Sequence, residues 1–167
     1  MIESQHITHE FIEQSCLRIE ESLARVQQCV GMLNEHQLWM RPNENSNSVG
    51  NLVLHLCGNI RQYAIAALGE TADTRRRDEE FSARGGYTGK ELNARLTETV
   101  QEALMVIRAA SPENLIKFRR IQSFDLSGIG IIIHVTEHFS YHTGQITFHT
   151  KAILDTDTGY YSGFVLT

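Results

Sequence analysis

The sequence predicts an all-α chain folded as a four-helix bundle. Apolar residues recur at helical spacing in four separate stretches, no convincing set of strands is present, and 167 residues suit one domain spanning 1–167. At that length folding buries roughly two-thirds of the unfolded surface, so a core needs no disulfide or metal staple. Hydrophobic residues make up 41% of the chain and charged residues 21%, a globular balance that argues against disorder.

The first helix covers 8–33. Ile12, Cys16, Ile19, Leu23, Val26, Val30 and Leu33 alternate spacings of four and three, which draws one apolar stripe. Asn34 to Asn47 breaks the pattern with Pro42 and an Asn/Ser-rich run. The second helix, 48–69, starts at Ser46 or Ser48, either a good N-cap, and buries Val49, Leu52, Val53, Leu56, Ile60 and Tyr63. Residues 70–87 mix Arg75-Arg76-Arg77 with Asp78-Glu79-Glu80, a charge run that reads as a solvated loop. Thr88-Gly89-Lys90-Glu91 is a capping box opening the third helix, 88–109, with Leu92, Leu96, Val100, Leu104 and Ile107 as its stripe. Ser111-Pro112 closes that segment and can open a short turn. Leu115 to Phe124 leaves strand and coil open. Ser127 caps the last helix, 127–154, and a Gly/Tyr-rich tail follows.

Charge and composition remove several function classes. The chain holds 15 Lys+Arg against 20 Asp+Glu, a formal charge of −5, so nucleic acid is not an expected partner. No apolar stretch approaches the ~20 residues of a membrane span, so no membrane partner is expected. The first residues lack a basic segment followed by an apolar run, and the expected location is the cytoplasm. Cys16, Cys29 and Cys57 form no C-x-x-C pair and sit in apolar-periodic stretches, as reduced core cysteines do.

The unusual count is histidine, at eight. His134, His138, His142 and His149, with Gln145, lie on the last helix within an arc of roughly 100°. Ile132, Val135, Phe139, Ile146 and Ile153 flank that arc on one side, and Tyr141, Phe148 and Ala152 on the other. The row is therefore expected to point into the bundle. Burying unsatisfied imidazoles costs roughly 1–3 kcal/mol each, a penalty that a metal ion or a wet ligand chamber removes. Two histidines one turn apart, about 6 Å along the axis, can meet one ion, so His138 and one neighbour would supply two ligands. His55 on the second helix, in a stripe with Asn51, Asn59 and Gln62, is the candidate third. Three neutral imidazoles suit zinc or nickel and leave positions for water or substrate. Cys57 lies about 200° around the helix from His55 and is not a ligand. His6, His9 and His36 read as surface residues.

The segment His138-Phe139-Ser140-Tyr141-His142-Thr143-Gly144-Gln145-Ile146 resembles the H-x-x-Y-H-x-G-Q-I/L signature of the DinB-like (YfiT-like) superfamily. Leu38-Trp39-Met40-Arg41-Pro42 and Ser48 to Leu56 are similar to that family's loop and second-helix motif. The resemblance implies a four-helix bundle with long crossover loops, a mononuclear zinc or nickel site held by His55, His138 and His142, and a homodimer. It also implies a low-molecular-weight thiol as one co-substrate used in the family. His134 is not a regular part of the motif; with Gln145 and Asn59 it is expected to surround the ligands or line the substrate chamber.

The leading expectation is a metal-dependent enzyme of hydrolase or thiol-transferase type acting on a small molecule. No Ser-His-Asp or Cys-His order supports a covalent nucleophile. Two other readings compete: a non-catalytic metal- or small-ligand-binding stress-response protein, and a helical dimerisation module with a buried polar network. Trp39 and the 70–87 loop are expected to border the pocket mouth.

Overall fold

The computed structural model describes residues 2–165, with side chains from Gln5 onward. Four long helices form the bundle: α1 (Ile2–Met32), α3 (Val49–Ile60, continuing as a π-helical stretch Arg61–Leu68), α5 (Gly89–Arg108) and α7 (Gly128–Leu154). Short helices α2 (Glu35–Trp39), α4 (Arg77–Ser82) and α6 (Pro112–Ile116) lie in the connections, with a hairpin of β1 (Phe118–Ile121) and β2 (Phe124–Ser127). Both α1 and α3 pack against α5 and α7. Successive long helices α1 and α3 therefore sit on a diagonal, as do α5 and α7. Each diagonal step demands a crossover, and these are the segments that hold α2 and the α6–hairpin unit.

The apolar stripes fill one core. Ile19, Leu56, Ile60, Leu92, Leu96, Ile107, Ile131, Ile132, Phe139 and Ile146 are fully buried in it. Helix starts follow the capping chemistry. Of the two candidate caps, Ser48 opens α3, in a reciprocal box with Asn51, and Thr88 does the same for α5 with Glu91. Ser127 caps α7 through Gly130 N–H. The start of α7 lies against α6, where a Cβ on Gly128 would meet the Asn114 carbonyl and Leu115 Cα, so only glycine fits.

Several expectations change. Helix α1 begins well before residue 8. The open segment 115–124 resolves into α6 and an antiparallel hairpin pairing Phe118 with Ser127 and Ile121 with Phe124, turned at Gln122 in a left-handed conformation (φ 54°). The 70–87 segment is not simply a solvated loop. It carries α4, and Asn51 Nδ2 donates to the Glu80 and Ala83 carbonyls at 2.9 Å each, which latches α4 onto α3. Tyr141, Phe148 and Ala152 do not flank an inward row. They are exposed, because the face that meets α1 and α3 is the one carrying Val135, Phe139, His142 and Ile146. Cys16, Cys29 and Cys57 are free and buried. His6, His9 and His36 are exposed, though helical. Among the described residues no helix is long and apolar enough to cross a membrane.

Candidate metal centre

Helix α3 and helix α7 bring three imidazoles to one point. His138 and His142 are one turn apart on α7, with ring centroids 4.4 Å apart. His55 of α3 lies 5.0 Å from the first and 4.9 Å from the second. One donor nitrogen from each of His55, His138 and His142 lies within 4.8 Å of the others. His55 and His142 are buried, and His138 is half-buried.

Hydrogen bonds around the rings decide which nitrogens face inward. His55 Nδ1–H donates to Glu80 Oε2 at 3.0 Å, and His142 Nδ1–H donates to Gln145 Oε1 at 2.7 Å. Each ring therefore keeps its Nε2 lone pair for something else. His55 Nε2 lies 2.9 Å from His138 Nε2, and two lone pairs cannot face each other at that distance without a proton or a cation between them. A tetrahedral zinc ion with Zn–N near 2.0–2.1 Å holds its nitrogens about 3.3 Å apart, a spacing that lies between the 2.9 Å of the His55–His138 pair and the 4.8 Å that bounds the three donors. The residues fit the metal that the histidine row implied.

Burial lowers the pKa of His138 to about 3, with the neighbouring histidines and Arg75 adding to the effect. His142 is also lowered by burial, against the bond to Gln145, and His134 is lowered by burial. Neutral imidazole is the form that binds metal, so burial favours the ligating state at His138 and His142.

His134 sits beside the cluster without joining it. Its Nε2 accepts from Asn59 Nδ2 at 3.2 Å, which uses the lone pair an ion would need, and its ring lies on Tyr63 at 4.0 Å. Asn59 Oδ1 is buried without a partner. His149 is half-buried in a different cleft, with Leu52, Tyr141, Gln145 and Phe148, and takes no part in the cluster. The expected row of four thus divides into two cluster members, one flank and one outsider. A surface pocket of about 500 Å³ lined by His134, Glu137, His138, Ser140 and Tyr141 opens at the exposed side of His138. Trp39 lies elsewhere, in a groove with His36 and Tyr87 that includes none of His55, His134, His138 and His142.

Two site residues were missed in the sequence. Glu80 holds His55, and Arg75 holds Glu80 through Nε to Oε1 at 2.7 Å and Nη2 to Oε2 at 2.8 Å. Burial opposes the ionised Glu80 carboxylate, but the bonds from Arg75 and His55 outweigh it and keep its pKa below the ordinary range. Both residues lie in the charge run read as solvent-facing. The available signal was Gly58, a glycine in the middle of an apolar helix, where an added Cβ would overlap the Glu80 carboxylate.

The bundle with a histidine cluster between its second and last long helices has a DinB-like fold. It is similar to the DinB-like protein YjoA from Bacillus subtilis, with TM-score 0.66, 15% identity, and coverage of 84% of this chain and 91% of that one. It is also similar to a conserved protein from Enterococcus faecalis, with TM-score 0.62, 14% identity, and coverage of 91% and 98%. The chain belongs to the family described as protein of unknown function (DUF1572), which matches residues 6–162. No curated protein matches the sequence.

Proposed function

We propose that this protein is a metal-dependent enzyme of hydrolase or thiol-transferase type, with one divalent zinc or nickel ion held by His55, His138 and His142. The observation that supports it best is the convergence of three donor nitrogens within 4.8 Å, two of them on rings whose other nitrogen is already engaged. Such outer bonds are the usual way a ligating histidine is oriented. When bound, the ion supplies Lewis-acid polarisation and acidifies a coordinated water or thiol.

The remaining roles fall to the chain itself. Glu80 and Gln145 orient their rings. The pocket beside His138 admits a small-molecule substrate from solvent, and that opening favours chemistry over a sealed structural site. His134, half-buried at the pocket wall, is placed to orient a substrate or carry a proton. A low-molecular-weight thiol co-substrate and a homodimer belong to the same proposal and rest on the family resemblance.

Elemental analysis of protein purified without an affinity tag tests the reading. Wild type is expected to hold about one ion per chain, and His138→Ala to lose it, because two imidazoles alone bind weakly. Full metal content in His138→Ala would refute the ligand set. Metal-free wild type that takes up neither zinc nor nickel would shift the reading to a buried polar network.

A further inference from the structure

We propose that Glu80 and Arg75 are positioning residues for the histidine centre: the pair fixes His55 as its Nδ1–H tautomer and so aims the Nε2 lone pair at His138 and His142. The consequence for metal affinity rests on the metal reading above; the tautomer control does not.

The pair is poorly explained as a stabiliser. Arg75 and Glu80 side chains are only 3% and 8% exposed, and taking two charges out of water often costs more than their attraction returns. The geometry instead serves the ring. Arg75 grips both carboxylate oxygens, and its Nη2 also lies 3.1 Å from His55 Nδ1. Because that Nη2 donates to Oε2 at the shorter 2.8 Å and a carboxylate oxygen can only accept, the contact at 3.0 Å is His55 Nδ1–H donating to Oε2. The guanidinium also balances the carboxylate charge, and a carboxylate oxygen can only accept, so the shared proton belongs to His55 Nδ1.

The surrounding chain is built around this grip. Arg75 Nη1 donates to Gln62 Oε1 at 2.9 Å, and Asp73 accepts from Gln62 Nε2 at 2.7 Å and from the Arg75 backbone N–H at 2.9 Å. Asn51 ties the Glu80 carbonyl to α3. Gly58, three residues after His55, leaves the space that the carboxylate occupies. Latch, clamp and gap all converge on one oxygen beside one imidazole nitrogen.

Two readouts test the proposal: the His55 tautomer in metal-free protein by long-range ¹H–¹⁵N NMR, and zinc affinity by competition with a chromophoric chelator. The double variant Arg75→Met with Glu80→Leu replaces the buried pair by apolar side chains of similar size, a change such sites often tolerate. It is expected to lose the Nδ1–H preference and to bind zinc about 10–100-fold more weakly. Glu80→Gln, whose carbonyl can still accept the ring proton, should fall between it and wild type, a grading that a merely structural role would not give. If the double variant does not fold, Glu80→Ala gives the same readouts. Unchanged tautomer and affinity in these variants overturns the proposal, as does wild-type His55 in the Nε2–H form. Wild type that binds no zinc but holds His55 as Nδ1–H refutes the metal reading and supports the positioning role.

Discussion

His134 and His149 share α7 with the two histidines of the cluster, and their surroundings show why helical phase alone did not sort them. Phase placed all four on one arc, but partners are set by what packs opposite. His55 faces His138 and His142, Asn59 and Tyr63 face His134, and His149 reaches only the cleft beside the 45–47 loop. His134→Ala is therefore expected to keep its metal, with affinity within about tenfold of wild type, and loss of the ion would place His134 among the ligands. Gln145→Ala frees the His142 ring and is expected to weaken zinc binding about tenfold or more by the same chelator competition. The histidines were legible in sequence because a row of imidazoles on an apolar face is costly. Arg75 and Glu80 were not, because a charge run looks the same whether it faces water or is folded back onto a helix.

At the scale of elements, the caps and stripes were the most readable part of the chain. The Thr88 box sits on the surface, and Thr88→Ala is expected to cost about 1 kcal/mol in urea unfolding. Asn51 does more than cap. It accepts from Ser48 and donates to two carbonyls of the α4 segment, so Asn51→Ala should raise hydrogen exchange over residues 73–83 well above its effect on α5. Uniform loosening of all helices would contradict this latch. The π-helical stretch had no readable signal, since nothing in Arg61 to Leu68 departs from an ordinary helix composition. It matters nonetheless, for it presents Gln62 to Arg75 and Tyr63 to His134. The hairpin was unreadable for a related reason: four-residue strands give too few alternations to separate period two from coil.

For the whole molecule, the histidines set the response to acid. His134, His138, His142 and His149 have pKa values lowered in the fold from the ordinary 6.5 of a solvated imidazole, with His138 at about 3. Below 6.5 the unfolded chain takes up protons that the folded rings refuse. Their contribution to stability is therefore complete above that pH and declines as pH falls, for His138 down to about 3. Glu80, lowered from 4.5, loses its contribution in the same direction at the acid end. Metal-free protein should unfold at lower urea concentration at about pH 5 than at about pH 7.5, and an equal or higher midpoint in acid would contradict the buried neutral state. The bundle class and the order of long helices were legible from periodicity. The diagonal arrangement was not, because a helix stripe records that a face is covered and not which neighbour covers it.

His55 and His138 stand 83 residues apart in the chain yet 2.9 Å apart in space. Their approach depends on the crossover from α5 to α7 and on the docking of α3 against α7, which joins segments far apart in the chain. An ion that binds only the assembled cluster would be captured after the folding barrier. It would leave the refolding rate almost unchanged and slow escape from the native state, acting as a brake on unfolding instead of a nucleus for folding.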